Sequence, residues 1–128
     1  MTVNDLISDI TSLRGQQYGT DMIMGWINEI EGQVIEEVIN RAEGYNLEFI
    51  PMEYEKDQDK KLSIPDRFKD VYVNYMLSKI DYHNEETERY NNDVVMYNSA
   101  YDAYAAWFRR CNRAKKAPLF SQNFKEEL

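Results

Sequence analysis

The sequence predicts an all-α fold: a small bundle of about four helices with a long loop over residues 45–64 and an extended C-terminal tail. Apolar residues recur at helical spacing over four segments, whereas strand-like alternation is confined to Asn46-Leu47-Glu48-Phe49. Residues that start and stop helices bracket those segments. With 128 residues, 43% hydrophobic and 30% charged, the chain has the make-up of one domain with one core. The boundaries fall at 1–113 for the helical domain and 114–128 for a flexible, basic tail.

The first helix runs from Thr2 to Arg14, with Thr2 as cap, Asp5 three residues on, and Leu6, Ile7, Ile10 and Leu13 on one face. Gly15 stops it. Thr20 caps a second helix from Asp21 to about Arg41, striped by Ile23, Ile27, Ile30, Val34 and Val38, with Gly44 as its terminator. Residues 45–64 break the helical period, permit a short strand or hairpin, and contain the solvated run EKDQDKK. Pro65 fits the first position of a third helix that carries Phe68, Val71, Tyr72, Tyr75, Met76 and Ile80. The pattern pauses near Asn84. It resumes with Tyr90, Val94, Tyr97, Tyr101, Tyr104 and Phe108, a heptad-like seam, beside a second stripe of Met96, Ala100, Ala103 and Trp107; of these Val94, Met96 and Trp107 are expected in the core. Periodicity alone leaves open whether the third and fourth helices are one kinked rod.

Charge narrows the partners. The net charge is −8; residues 1–60 carry −9, 61–105 carry −3 and 106–128 carry +4. A protein that grips phosphate needs a basic face over much of its domain. Here only the end is basic, through Arg109, Arg110, Arg113, Lys115 and Lys116, so a DNA grip is not expected, and an acidic body with a basic end lets copies or partners meet head to tail. No apolar run is long enough to cross a bilayer, and the opening MTVNDLISDI lacks the pattern of a secretory leader, so an intracellular protein without membrane contact is expected.

The catalytic inventory is thin. His83 is the single histidine, which leaves no Ser-His-Asp arrangement in view and cannot supply the paired Glu-x-x-His motifs of a di-iron bundle. Asp81, His83 and Glu86 are the only local group with metal-ligand chemistry, at no recognised spacing. The five glycines are scattered, so no phosphate-cradling loop exists, and Cys111 stands alone as a plain thiol. No enzyme activity, cofactor or metal is expected.

Two patterns instead suggest contact between protein surfaces. Seven of the ten tyrosines lie between Tyr72 and Tyr104, and each buried hydroxyl needs a partner. Tyr90, Tyr97, Tyr101 and Tyr104 are therefore candidates for a subunit interface. On the second helix Gly25, Glu29, Gly32 and Glu36 share a face opposite the Ile stripe, where close approach of another backbone would offset the glycines' cost.

Three stretches resemble the small helical head–tail connector (adaptor) proteins of tailed bacteriophages, particularly those of phages infecting Gram-positive bacteria. They are Trp26-Ile27-Asn28-Glu29-Ile30-Glu31 through Glu36-Glu37-Val38-Ile39; Ile64-Pro65 followed by Phe68, Val71-Tyr72 and Tyr75-Met76-Leu77; and Lys79-Ile80-Asp81-Tyr82 through Glu85, Glu88 and Arg89-Tyr90-Asn91-Asn92 to Met96-Tyr97-Asn98. The resemblance implies a virion protein, assembled in the host cytoplasm, whose copies form a ring, commonly twelvefold. That ring joins the portal protein to a stopper or tail-completion protein, and DNA passes through it without specific binding. The resemblance also implies that the 45–64 loop and the chain's end (Arg109, Arg110, Arg113, Lys115, Lys116, Leu119, Phe120) reach the portal or tail partners. A different class of reading is a small helical regulatory or inhibitor module that binds another protein.

Overall fold

The computed structural model describes residues 1–113. Its elements are α1 (Val3–Arg14), α2 (Thr20–Glu37), a single-turn α3 (Tyr54–Asp57), α4 (Asp70–His83) and α5 (Thr87–Cys111), with no strand among the described residues. The all-α expectation holds, and the four long helices are those the apolar periodicity marks out. The tail expected over 114–128, with Lys115, Lys116, Leu119 and Phe120, lies outside the described residues.

α1 begins as its sequence dictates. The Thr2 hydroxyl accepts from the Asp5 N–H at 3.1 Å while the Asp5 carboxylate accepts from the Thr2 N–H at 3.0 Å, so two otherwise orphaned donors are met reciprocally. Val3, Leu6 and Ile10 form its buried face. α2 starts one residue earlier than predicted, at Thr20 with Gly19 as the cap, and its α-helical part ends at Glu37 rather than near Arg41. The remaining turn tightens to a 3-10 form over Ile39–Arg41, a common way of closing a helix end. Gly44 follows at φ +93°, in the left-handed region that favours glycine.

Pro65 is placed differently from the expectation. It is extended, at ψ 154°, and precedes a 3-10 turn over Asp66–Phe68 that leads into α4 at Asp70. The third and fourth predicted helices are separate: α4 closes at Asn84, and Glu85 takes φ 59° to redirect the chain into α5. α4 is the central element. It packs against α1 and α2, and most extensively against α5. Val71, Tyr72, Met76 and Ile80 of α4 meet Ile27, Ile30 and Val34 of α2, Val3 and Leu6 of α1, and Tyr104 of α5 in one core.

The 45–64 segment is neither a strand nor a free arm. Its first part lies along α2, held by two side-chain amides that stand in for a neighbouring strand. Asn40 bonds both the N–H and the C=O of Leu47 at 2.8 Å, and Asn28 does the same for Met52 at 2.8 and 3.0 Å. Its last part pairs with the start of the chain: the Val3 and Asn4 N–H groups donate to the carbonyls of Lys60 and Gln58, and the Leu62 N–H donates to Met1. Two of the donors that every helix start leaves open are satisfied in this way. Met52, Leu62 and Ile64 are buried.

The glycines of α2 now separate. A Cβ at Gly32 would sit 3.3 Å from the Phe49 ring, so the close approach there comes from a side chain of the same chain, not from another backbone. A Cβ at Gly25 would meet nothing within 4 Å. Gly25→Ala is therefore expected to stabilise the fold by about 1 kcal/mol, while Gly32→Ala gains less or loses because Phe49 must shift. Urea unfolding of both variants checks this; equal gains at the two sites would count against the Phe49 contact.

Candidate functional site

The polar groups of the bundle are concentrated where the helices meet, and α2 supplies most of the acceptors. Glu31 follows Ile27 and Ile30 around the helix onto the apolar face and is only 5% exposed. Its carboxylate accepts from the Tyr72 hydroxyl at 2.5 Å and from the N–H and hydroxyl of Ser63 at 2.9 and 2.7 Å. Tyr72 in turn accepts from the Ile64 N–H at 3.0 Å. Burial, then the neighbouring Glu31 charge, push the Tyr72 phenol far above its ordinary range, so it remains a donor at any working pH.

The same helix meets three more phenols. Tyr75 donates to Glu29 at 2.7 Å and Tyr101 donates to Glu37 at 2.8 Å, while Gln33 donates to the Tyr97 hydroxyl at 3.4 Å. Lys79 approaches Glu29 at 3.2 Å. These contacts revise the interface expectation. Tyr104 is 1% exposed and belongs to the core of the single chain. Tyr97 and Tyr101 are half-buried with hydroxyls engaged inside the chain, and Glu29, though exposed, is already paired. Tyr90 is half-buried, with its ring against Tyr82. Gly25 and Glu36 remain on an open face. Met96, expected in the core, is 49% exposed, because α5 turns that edge away from α4.

A second polar centre joins the far ends of three helices. Arg14, in the last turn of α1, grips Asp81 of α4 with two bonds of 3.0 and 2.9 Å, and the same guanidinium lies 3.9 Å from Asp93 of α5. Both carboxylates are buried, and Asp93 Oδ2 has no partner. Burial opposes the charge on Asp81, but the bonds from Arg14 and Asp93 outweigh it and hold Asp81 below its usual range. Asp93 goes the other way: burial first, then the Asp81 carboxylate beside it, push it up to about 7. A proton on the Asp93 carboxyl lets it donate to the Asp81 carboxylate beside it.

The suggested Asp81, His83 and Glu86 grouping does not form. Asp81 points inward to Arg14, whereas His83 stacks on Trp26 at 5.5 Å between ring centres and meets Tyr82 edge-on. No three metal-ligating side chains converge among the described residues. A small cavity beside the α1–α2 connection is lined by Ile7, Ile10, Tyr18, Ile23, Tyr54 and Ile80, and offers no titratable carboxylate or amine. Arg109, Arg110, Arg113 and Cys111 are exposed at the end of α5. No described helix is long and apolar enough to span a membrane.

Sequence reasoning missed Glu31, Arg14 and Asp93. A faint signal existed for two of them: Glu31 interrupts the Ile stripe of α2, and Asp93 sits beside Val94 on the packed side of α5. Nothing local marks Arg14, whose partner is 67 residues away. Comparison of the chain with protein-family models, with curated proteins and with solved structures gives no match.

Two predictions follow from this geometry. Between the ordinary carboxyl value near 4 and its raised value near 7, Asp93 is protonated in the folded chain and ionised in the unfolded one, so its contribution to stability falls as pH rises through that window and is flat above it. Asp81, shifted downward, loses its contribution only at more acidic pH. Asp93→Asn, which keeps a donor toward Asp81, is expected to be more stable than the native chain at pH 8 by on the order of 2–4 kcal/mol and nearly equal to it at pH 4.5. Thermal unfolding of both proteins across that range measures the gap; a gap independent of pH rules out the raised carboxyl. Separately, Tyr97→Phe and Tyr101→Phe should each lower the stability of the single chain by about 1 kcal/mol. No loss at high dilution would return those hydroxyls to an intermolecular role.

Proposed function

We propose that this chain is a structural subunit of the neck of a tailed bacteriophage, an adaptor whose copies stand as a ring between the portal and the stopper or tail-completion protein while DNA passes through. The reading rests on one observation above others: the three stretches that resemble connector proteins fall on three of the four long helices of one bundle. They cover α2, the Pro65 entry into α4, and the passage from α4 to α5. Those stretches include the groups that hold the bundle together, among them Glu31, Tyr72 and Asp81.

Charge supports the same reading. A net charge of −8 gives a wall that DNA slides past without adhering. The exposed Arg109, Arg110 and Arg113 supply a basic end for an acidic surface of the portal or tail partner. Gly25 and Glu36 on α2, together with Leu47 and Ile50, which are 48% and 65% exposed, are the remaining candidates for contact around the ring. The 45–64 loop contributes through its exposed side chains and not as a free arm, since both of its ends are bound within the subunit. The role is structural, with no catalytic step and no cofactor.

The test is co-sedimentation of the purified protein with the portal ring of the phage that carries it, followed by imaging of the product. A stacked second ring on the portal is the expected outcome, weakened at least tenfold by replacing Arg109, Arg110 and Arg113 with glutamate. A protein that leaves the portal in the supernatant at every salt concentration, and forms no ring by itself, ends this reading.

A further inference from the structure

α5 carries a second seam on the side turned away from the bundle. Asn92, Met96, Ser99, Ala103 and Ala106 repeat at heptad-like steps, with Val95 beside them, and every one is exposed. Val95 and Met96 are 64% and 49% exposed, among the most exposed large apolar side chains of the described residues. The seam is graded in size along the helix. Its N-terminal half carries the bulky side chains, and its C-terminal half carries only small ones.

The ends of the helix are graded in charge. Glu85, Glu86 and Glu88 outnumber Arg89 at or just before its first turn, and Arg109, Arg110 and Arg113 stand at or just after its last. Each end complements the helix dipole, which accounts for their placement on one helix. Their position on the seam has a further consequence, because Glu88 and Arg110 extend the exposed stripe at its two ends.

We infer that this face of α5 pairs with the same face of a second copy of the chain, antiparallel, about a two-fold axis near Ser99. In that arrangement Met96 of each copy lies opposite Ala103 of the other, bulk against space. Asn92 lies opposite Ala106, and Glu88 opposite Arg110. Both size and charge are self-complementary in this orientation, as an isologous contact requires. A parallel pairing fails on both counts: it sets Glu88 against Glu88 and Arg110 against Arg110, crowds Met96 on Met96, and leaves Ala103 and Ala106 facing across a gap. One helix against one helix buries less than the ~1,600 Å² of a standard interface, so the pair is weak and salt-sensitive. The inference concerns the free protein and does not depend on the neck reading.

The experiment uses the full chain with Cys111→Ser as background and no portal present. Ser99→Cys, near the axis, is expected to form a disulfide-linked dimer under mild oxidation. Ala106→Cys is not, because two such sites lie about 20 Å apart in the antiparallel pair, beyond any disulfide. Light scattering at concentrations up to about 500 µM should show dimerisation weakened at least tenfold by Glu88→Arg and restored by Glu88→Arg with Arg110→Glu. Both charge changes disfavour the isolated helix, so restoration cannot arise from helix stability. Circular dichroism confirms that each variant is folded. Linking at Ala106 as efficient as at Ser99, a native chain monomeric throughout, or a double variant no better than the single one would each overturn the pairing. Failure here leaves the portal experiment untouched, and the converse holds.

Discussion

A carboxylate enclosed by a helical bundle must be met by donors, and Glu31 is met by three. The Tyr72 hydroxyl and the two donors of Ser63 reach it from α4 and from the end of the long loop, so one side chain of α2 fixes two elements remote in sequence. The arrangement is directional in a way that apolar packing is not. Ile27, Ile30 and Val34 could tolerate a modest rotation of α2 against α4, but Glu31 could not without leaving a buried charge uncompensated, a loss of several kcal/mol. The register of α2 on α4 is set there, and the other polar contacts of α2 follow from it.

The tyrosine content of the chain then has a physical account. A phenol fills core volume with its ring and still delivers a hydroxyl about 6 Å from the backbone, far enough to cross from α4 or α5 to the acceptors of α2. Glu29, Glu31 and Glu37 each take one such hydroxyl, and Gln33 meets a fourth. The acidity of α2 and the tyrosine richness of α4 and α5 are two halves of one pattern, read across helices. Seen along the chain, each half looks like a surface awaiting an outside partner.

Features whose physics is local were legible in the sequence. The Thr2–Asp5 capping box, the Ile stripe of α2, the break at Asn84 and the inward seam of α5 each depend on residues within one or two turns, and each is present. The exact ends of α2 and the role of Pro65 were less legible, since a 3-10 turn and an α-turn differ little in residue preference. The docking of the loop was not legible, because Asn28 and Asn40 look like ordinary polar helix residues until the backbone they bind is in place. The Arg14–Asp81–Asp93 centre was hidden for the same reason: its members belong to three helices and to no motif.

That centre also orders events as the chain is made. Within this bundle α1 is made before the other helices, yet the N–H groups of its first turn need Lys60 and Gln58, and its final residue, Arg14, needs Asp81, 67 residues downstream. At ~5–20 residues per second, the interval between Arg14 and its partner is roughly 3–13 s. Through that interval α1 has too few residues to persist as an isolated helix in water. The helix that comes first in this bundle is thus among the last to be secured, and its apolar face stays open to other contacts until α4 is complete.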